Sequence, residues 1–251
     1  MKPPKTFVSL LLMIAWSGTP LLLSAQSSYE KVYYAYHHNQ VSSWKTAVEE
    51  LRKDWYQRGK PQDHRLYQLI ISEYGLIGAC QNGGSCDDVA ARIARVDRYL
   101  QLLADESEFQ GIAKALEGGL IALKINEAPW KGVTLAGESI SKIKAGVELA
   151  PKEPEPWIEL GNFRAHAPDL FGGDQGAAIK AYETAIKLYE ERPEAERHTW
   201  LYLHALASLG QAYIADGQPY QGKAIYRKAL RIEPNFHLVK NVLLPLANKG
   251  E

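Results

Sequence analysis

The residues best equipped for chemistry are few and poorly arranged for it. His37 and His38 are adjacent, so on a helix they point about 100° apart and cannot easily share a metal. His198 and His204 lie six apart and also diverge. His166-Ala167-Pro168-Asp169 could orient a histidine, but the same residues serve equally as groove or capping contacts. No His-Glu-x-x-His, phosphate loop or nucleophile elbow occurs. The expectation is therefore a protein without catalytic residues, cofactor or metal. The two cysteines, Cys80 and Cys86, are separated by Gln-Asn-Gly-Gly-Ser. Five intervening residues do not suit the two-residue spacing of a zinc knuckle or a thioredoxin-like pair. In an oxidising compartment they would form a structural disulfide. A loop this short would contribute only about 2 kcal/mol on the entropy argument.

The first residues point to such a compartment. Met1-Lys2-Pro3-Pro4-Lys5 is basic, Phe7 to Trp16 is apolar, and Ser24-Ala25-Gln26 ends the run with small residues. That order describes a secretory signal, with cleavage after Ala25. Ser17-Gly18-Thr19-Pro20 interrupts the apolar run and makes it a poor membrane span. Removal of the signal takes two of the 29 basic residues and none of the 29 acidic ones, which argues against nucleic acid as a partner. No second long apolar run follows, so no integral membrane segment is expected after cleavage.

Almost every later segment has helical periodicity, and none alternates as a strand would. Tyr29, Val32, Tyr33 and Tyr36 form one stripe; Trp44, Val48, Leu51 and Trp55 another, with Ser42 or Ser43 available as a cap. Leu66, Leu69, Ile70, Tyr74 and Ile77 mark a third helix. Ser85-x-x-Asp88 looks like a helix-start box before Val89, Ile93, Val96, Leu100 and Leu103, with Arg92, Arg95, Asp97 and Arg98 on the solvated side. A fifth helix, from about Asp105 to Lys124, carries Gly118-Gly119 in its middle, which costs about 1 kcal/mol per glycine unless a neighbouring helix packs closely there. Further helices span about 134–149, the segment after Pro154-Glu155-Pro156, and Phe236 to Lys249. Short connections make neighbours antiparallel, giving about eleven helices in five pairs plus a cap.

The stretch Leu203 to Phe236 is the most regular. Leu206, Leu209-Gly210 and Tyr213 precede a turn at Asp216-Gly217-Gln218-Pro219; Gly222, Tyr226, Ala229 and Pro234 follow. In residue type and spacing it resembles a tetratricopeptide repeat, a helix–turn–helix unit of about 34 residues. Trp157, Leu160 and Gly161, with Ala178, Tyr182 and Ala185, resemble a second unit, lengthened between Pro168 and Asp174 and again near Arg192 to His198. Ser139, Ile143, Gly146 and Pro151 trace a third.

The resemblance implies an all-α, right-handed superhelical array of antiparallel helix pairs, because single units cannot bury their apolar faces alone. It divides the chain into a signal (1–25), degenerate helix pairs (26–133), repeats (134–236) and a capping helix (237–251). The first helix of each pair would line a concave wall bearing Glu155, Ile158, Asn162, Ala165 and His166, then His204, Ala207, Gln211 and Ile214. Some members grip a partner's terminal carboxylate with Lys and Asn on that wall; here Ile158 and His204 replace the cations, so no such clamp is expected. Phe171, in the loop Asp169 to Asp174, would fold over the groove as an apolar contact. The functional expectation is an exported, periplasmic or extracellular bacterial scaffold that binds a protein or peptide. The alternative is an accessory component that encloses a small solute near Phe171 and Trp130.

Overall fold

A computed structural model describes residues 19–83, 86, 88–197 and 199–249, with side chains from Ser28 onward except Ala195. Residues 1–18, Ser85 and His198, and with them most of the signal and the start of the cap box, lie outside the described residues. Among those described, every regular element is helical: α1 (Thr19–His37), α2 (Val41–Gln57), α3 (His64–Gln81), α4 (Val89–Leu103), α5 (Gln110–Glu127), α6 (Gly132–Leu149), α7 (Pro154–His166), α8 (Gln175–Glu191), the single turn α9 (Glu194–Arg197), α10 (Trp200–Ala215), α11 (Pro219–Ile232) and α12 (Leu244–Lys249). α1 thus continues through the expected cleavage point.

Five pairs stack in order: α1 with α2, α3 with α4, α5 with α6, α7 with α8, and α10 with α11. The glycines explain how closely. A Cβ on Gly118 would lie 2.6 Å from both the Ser139 carbonyl oxygen and Ile143 Cγ1, so α6 packs directly on α5's backbone. Ser139 Oγ donates to the Gly118 carbonyl at 2.8 Å across that contact. Gly161 and Gly210 leave the same kind of notch, filled by the rings of Tyr182 and Tyr226. The double glycine is therefore a packing device.

Several expected details change. α2 starts at Val41 behind Gln40, and Ser43 Oγ donates to the Gln40 side chain and caps nothing. Asp88 likewise makes no cap; it accepts from Arg92 Nε at 2.8 Å. α5 begins five residues later than expected, at Gln110. The last helix is split: a π turn, Leu238–Leu243, precedes α12. Pro245 has no N–H, and its ring crowds the carbonyl four residues back; the wider turn relieves both.

The largest correction concerns Arg92 and Arg95. Glu73 of α3 is fully buried, and both guanidinium groups reach its Oε1, Arg95 Nη2 at 2.7 Å and Arg92 Nη1 at 3.3 Å, with Arg52 Nη1 of α2 at 3.8 Å. These arginines do not form a solvated face; they fasten α4 and α2 to α3. A buried carboxylate leaves its cations uncompensated when removed.

Three outcomes are expected in urea denaturation. Gly118→Ala loses about 1–3 kcal/mol by overpacking although alanine favours helix, whereas Gly137→Ala, where an added Cβ meets nothing within 4 Å, gains up to about 1 kcal/mol. Glu73→Ala loses about 3 kcal/mol; a loss below about 1 kcal/mol would mean the three arginines hold nothing together.

Candidate functional site

The first helices of the pairs, α1, α3, α5, α7 and α10, contact one another in succession, and α10 also contacts α1. The array therefore closes on itself at one end. Tyr36 meets Trp200 and Phe236 with ring centroids 5.5 Å apart in each case, and Trp44 meets Trp200 at 5.4 Å. Gly75 of α3 is bare because the Trp200 indole occupies the place of its side chain. Tyr33 Oη donates to Glu233 at 3.3 Å, tying α1 to the end of α11.

This closure redistributes the expected wall. Glu155 is buried and accepts from Tyr67 Oη of α3 at 2.5 Å; Ile158 is buried in the core. Ala207 is buried too, and Ile214 turns to α11, where it packs on Gly222. These four do not stand on an open surface, because the chain's own helices cover or outflank them. His37 is also enclosed: one ring nitrogen lies 2.9 Å from the Tyr33 carbonyl oxygen, the other 3.8 Å from Glu233.

Ala165, His166 and Gln211 come together towards the C-terminal ends of α7 and α10, and Asn162 meets His204 nearer the start of α10. Ala165, His166, Gln175, Tyr182, Ser208, Gln211, Ala212 and Ala215 enclose a cleft of about 190 Å³ there. Asn162 Oδ1 accepts from Tyr182 Oη at 2.8 Å and lies 3.4 Å from His204 Nε2. Gln175 Nε2 donates to the Ala165 carbonyl at 2.9 Å, which joins the start of α8 to the end of α7. No Asp, Glu, Lys or Arg is among the residues lining the cleft. Burial lowers His166, and burial reinforced by His166 pushes His204 down to about 4. Both rings are thereby held neutral near pH 7.

The loop from Asp169 to Asp174 caps α8, with Asp174 accepting from the Ala177 amide at 2.9 Å. Gly172 has φ +93°, and Arg164 bonds its carbonyl at 2.5 Å. Phe171 is half-buried; the side chain left in solvent is Leu170, at 88% exposure. The Pro129–Lys131 turn likewise leaves Trp130 77% exposed. Cys80 and Cys86 are disulfide-bonded at the end of α3, with Cα atoms 5.5 Å apart.

Sequence reasoning missed Glu159. It is buried on α7, accepts from Tyr74 Oη of α3 at 2.8 Å, and is bonded by Asn162. Burial pushes it up to about 7. The signal was readable: 155, 159, 162 and 166 follow one helical stripe.

The residues 203–236 match the family model described as tetratricopeptide repeat. That stretch is a tetratricopeptide repeat. A thermophilic TPR protein of Thermus thermophilus has a similar fold, with TM-score 0.50 and 16% identity over 90% of this chain and 97% of that one. No curated protein matches the chain. Repeat match and fold agree on a helical-repeat architecture.

The two shifted groups oppose each other. Glu159, raised from 4.5 to about 7, contributes stability below its ordinary range that is lost as pH rises towards 7. His204, lowered from 6.5 to about 4, contributes stability above its ordinary range that is lost as pH falls towards 4. The slopes cancel between about pH 4.5 and 6.5. His204→Gln is expected to unmask a decline of about 2–3 kcal/mol from pH 4.5 to 7, and Glu159→Gln a decline of similar size from 6.5 to 4. Thermal unfolding across pH checks both; parallel profiles for the two variants would contradict the assignment.

Proposed function

We propose that this chain is an exported scaffold that holds a protein or peptide partner at the open ends of α7 and α10. The observation that carries the reading is the uncharged cleft lined by residues of α7, α8 and α10. Glu155, Ile158 and Ala207 of the expected wall are buried, whereas the cleft offers its lining to a partner. A neutral histidine, two amides and two hydroxyls over an alanine floor suit an extended main chain with a modest apolar side chain. They do not suit a terminal carboxylate, for which no cation is present in the lining. Export is supported by the basic and apolar start of the sequence and by the Cys80–Cys86 pair, which persists in oxidising compartments. No catalytic motif speaks for an enzyme. At about 190 Å³ the cleft falls below the roughly 300–1,000 Å³ of small-molecule sites, which disfavours an enclosed solute.

Photo-crosslinking groups at positions 170, 211 and 158 test the surface in the intact cell envelope. Adducts are expected from 170 and 211 and not from the buried 158. Leu170→Asp and Gln211→Lys should each weaken the recovered complex about tenfold, or about 1.4 kcal/mol. Equal crosslinking from 158, or unaltered recovery with both variants, would remove the cleft from the proposal. The mature N-terminus, by mass spectrometry of exported protein, should be Gln26.

A further inference from the structure

Two hydroxyl–carboxyl bridges span the inner wall between α3 and α7: Tyr67 to Glu155 at 2.5 Å and Tyr74 to Glu159 at 2.8 Å. Their surroundings differ. Arg192 acts on Glu155, with Glu153 opposing it and Tyr29 and Tyr189 near. Glu159 is faced by Tyr74 from α3, Asn162 from its own helix and Tyr182 from α8. From α5 it faces bare Gly119, whose missing side chain leaves room for the Tyr74–Glu159 bridge. His204 of α10 lies beyond Asn162, against Asn162 Oδ1 and Ser208. No cation is among the groups that act on Glu159.

We propose that this sealed junction of α3, α5 and α7 is a proton-operated latch: with a proton on Glu159 the α3–α7 seam stays seated, and loss of that proton to solvent lets the seam part. Tyr74 Oη and Asn162 donate to Glu159 and favour its charged form, but burial outweighs them and favours the neutral carboxyl. A carboxylate keeps those partners but gains no opposite charge, so it is stabilised by reaching water. Burial places the change near neutrality. Parting is confined to the seam. The Glu73 arginines bind α3 to α2 and α4, and Gln81 ties its end to α5 through the Leu123 carbonyl at 3.0 Å. His204 keeps its enclosure on α10, so its opposite titration does not offset the local opening. The latch stands independently of the partner-binding reading.

The test is hydrogen exchange of the full chain, corrected for intrinsic rates, followed on peptides from α3 and α7 at pH 6 and pH 8. Protection of both is expected to fall about tenfold in the wild type between the two pH values and to stay unchanged in Glu159→Gln, while α11 peptides do not respond. Equal protection of α3 at both pH values, or the wild-type loss persisting in Glu159→Gln, overturns the proposal. Carbon-13 labelling of glutamate carboxyls in the wild type gives a second readout that needs no variant. A Glu159 midpoint between pH 6 and 8 supports the latch, and one below 5.5 overturns it.

Discussion

The contact of the first helix with the last repeat governs the rest of the structure. Helix pairs stacked by glycine and alanine notches would ordinarily leave an open inner wall with two exposed ends. Here Tyr36, Trp44, Trp200 and Phe236 interlock, and the wall becomes core along much of its length. Aromatic pairs in tilted or edge-on contact contribute beyond the area they bury. This cluster joins the first helix pair to the last repeat. What remains accessible on the wall follows from what the closure fails to cover.

The closure also explains the unusual electrostatics. Positions that face a solvated groove in an open array carry polar side chains, and here those side chains are enclosed. The protein meets the cost in two ways. Glu73 keeps its place among arginines on the α2–α3–α4 side. On the α3–α7 side, Tyr67 bonds one oxygen of Glu155 and leaves the other without a partner, Tyr74 and Asn162 bond Glu159, and burial favours the neutral forms of Glu159 and His204 alike. Neutrality is reached by opposite shifts of an acid and a base linked through one amide.

Much of the fold was legible. Tyr226 over Gly210 and Tyr182 over Gly161 follow directly from glycine and aromatic spacing, and Gly118-Gly119 announced a close neighbour. The lengthened α8 and the extra turn α9 lie where the repeat period was exceeded. What was not legible is long-range. Periodicity assigns a residue to a face but does not say what lies opposite. Arg92 and Arg95 read as solvated because charge usually means exposure, yet a buried Glu73 on another helix reverses that. Ile158 and Glu155 read as groove lining because a local pattern cannot register that Tyr67 of α3 reaches Glu155 and that Ile158 joins the core. The same limit hid Glu159: its stripe was visible, and its partner Tyr74 lies 85 residues earlier.

That limit bears on how such a wall can work. In an open array each repeat offers its inner face independently, and specificity accumulates along the groove. In a closed one the buried positions are committed to holding the array, and recognition moves to the ends of the inner helices and the loops that follow them. The two loops after α5 and α7 each leave a large apolar side chain in solvent, Trp130 and Leu170. Apolar exposure of that kind is ordinary for isolated side chains; under the proposed reading Leu170 would serve as an apolar anchor for the partner. The inserted residues Pro168 to Asp174, which break the repeat period, carry Leu170. The departure from the repeat therefore carries more functional meaning than the repeat itself, because regular positions are spent on packing and the irregular ones reach past it.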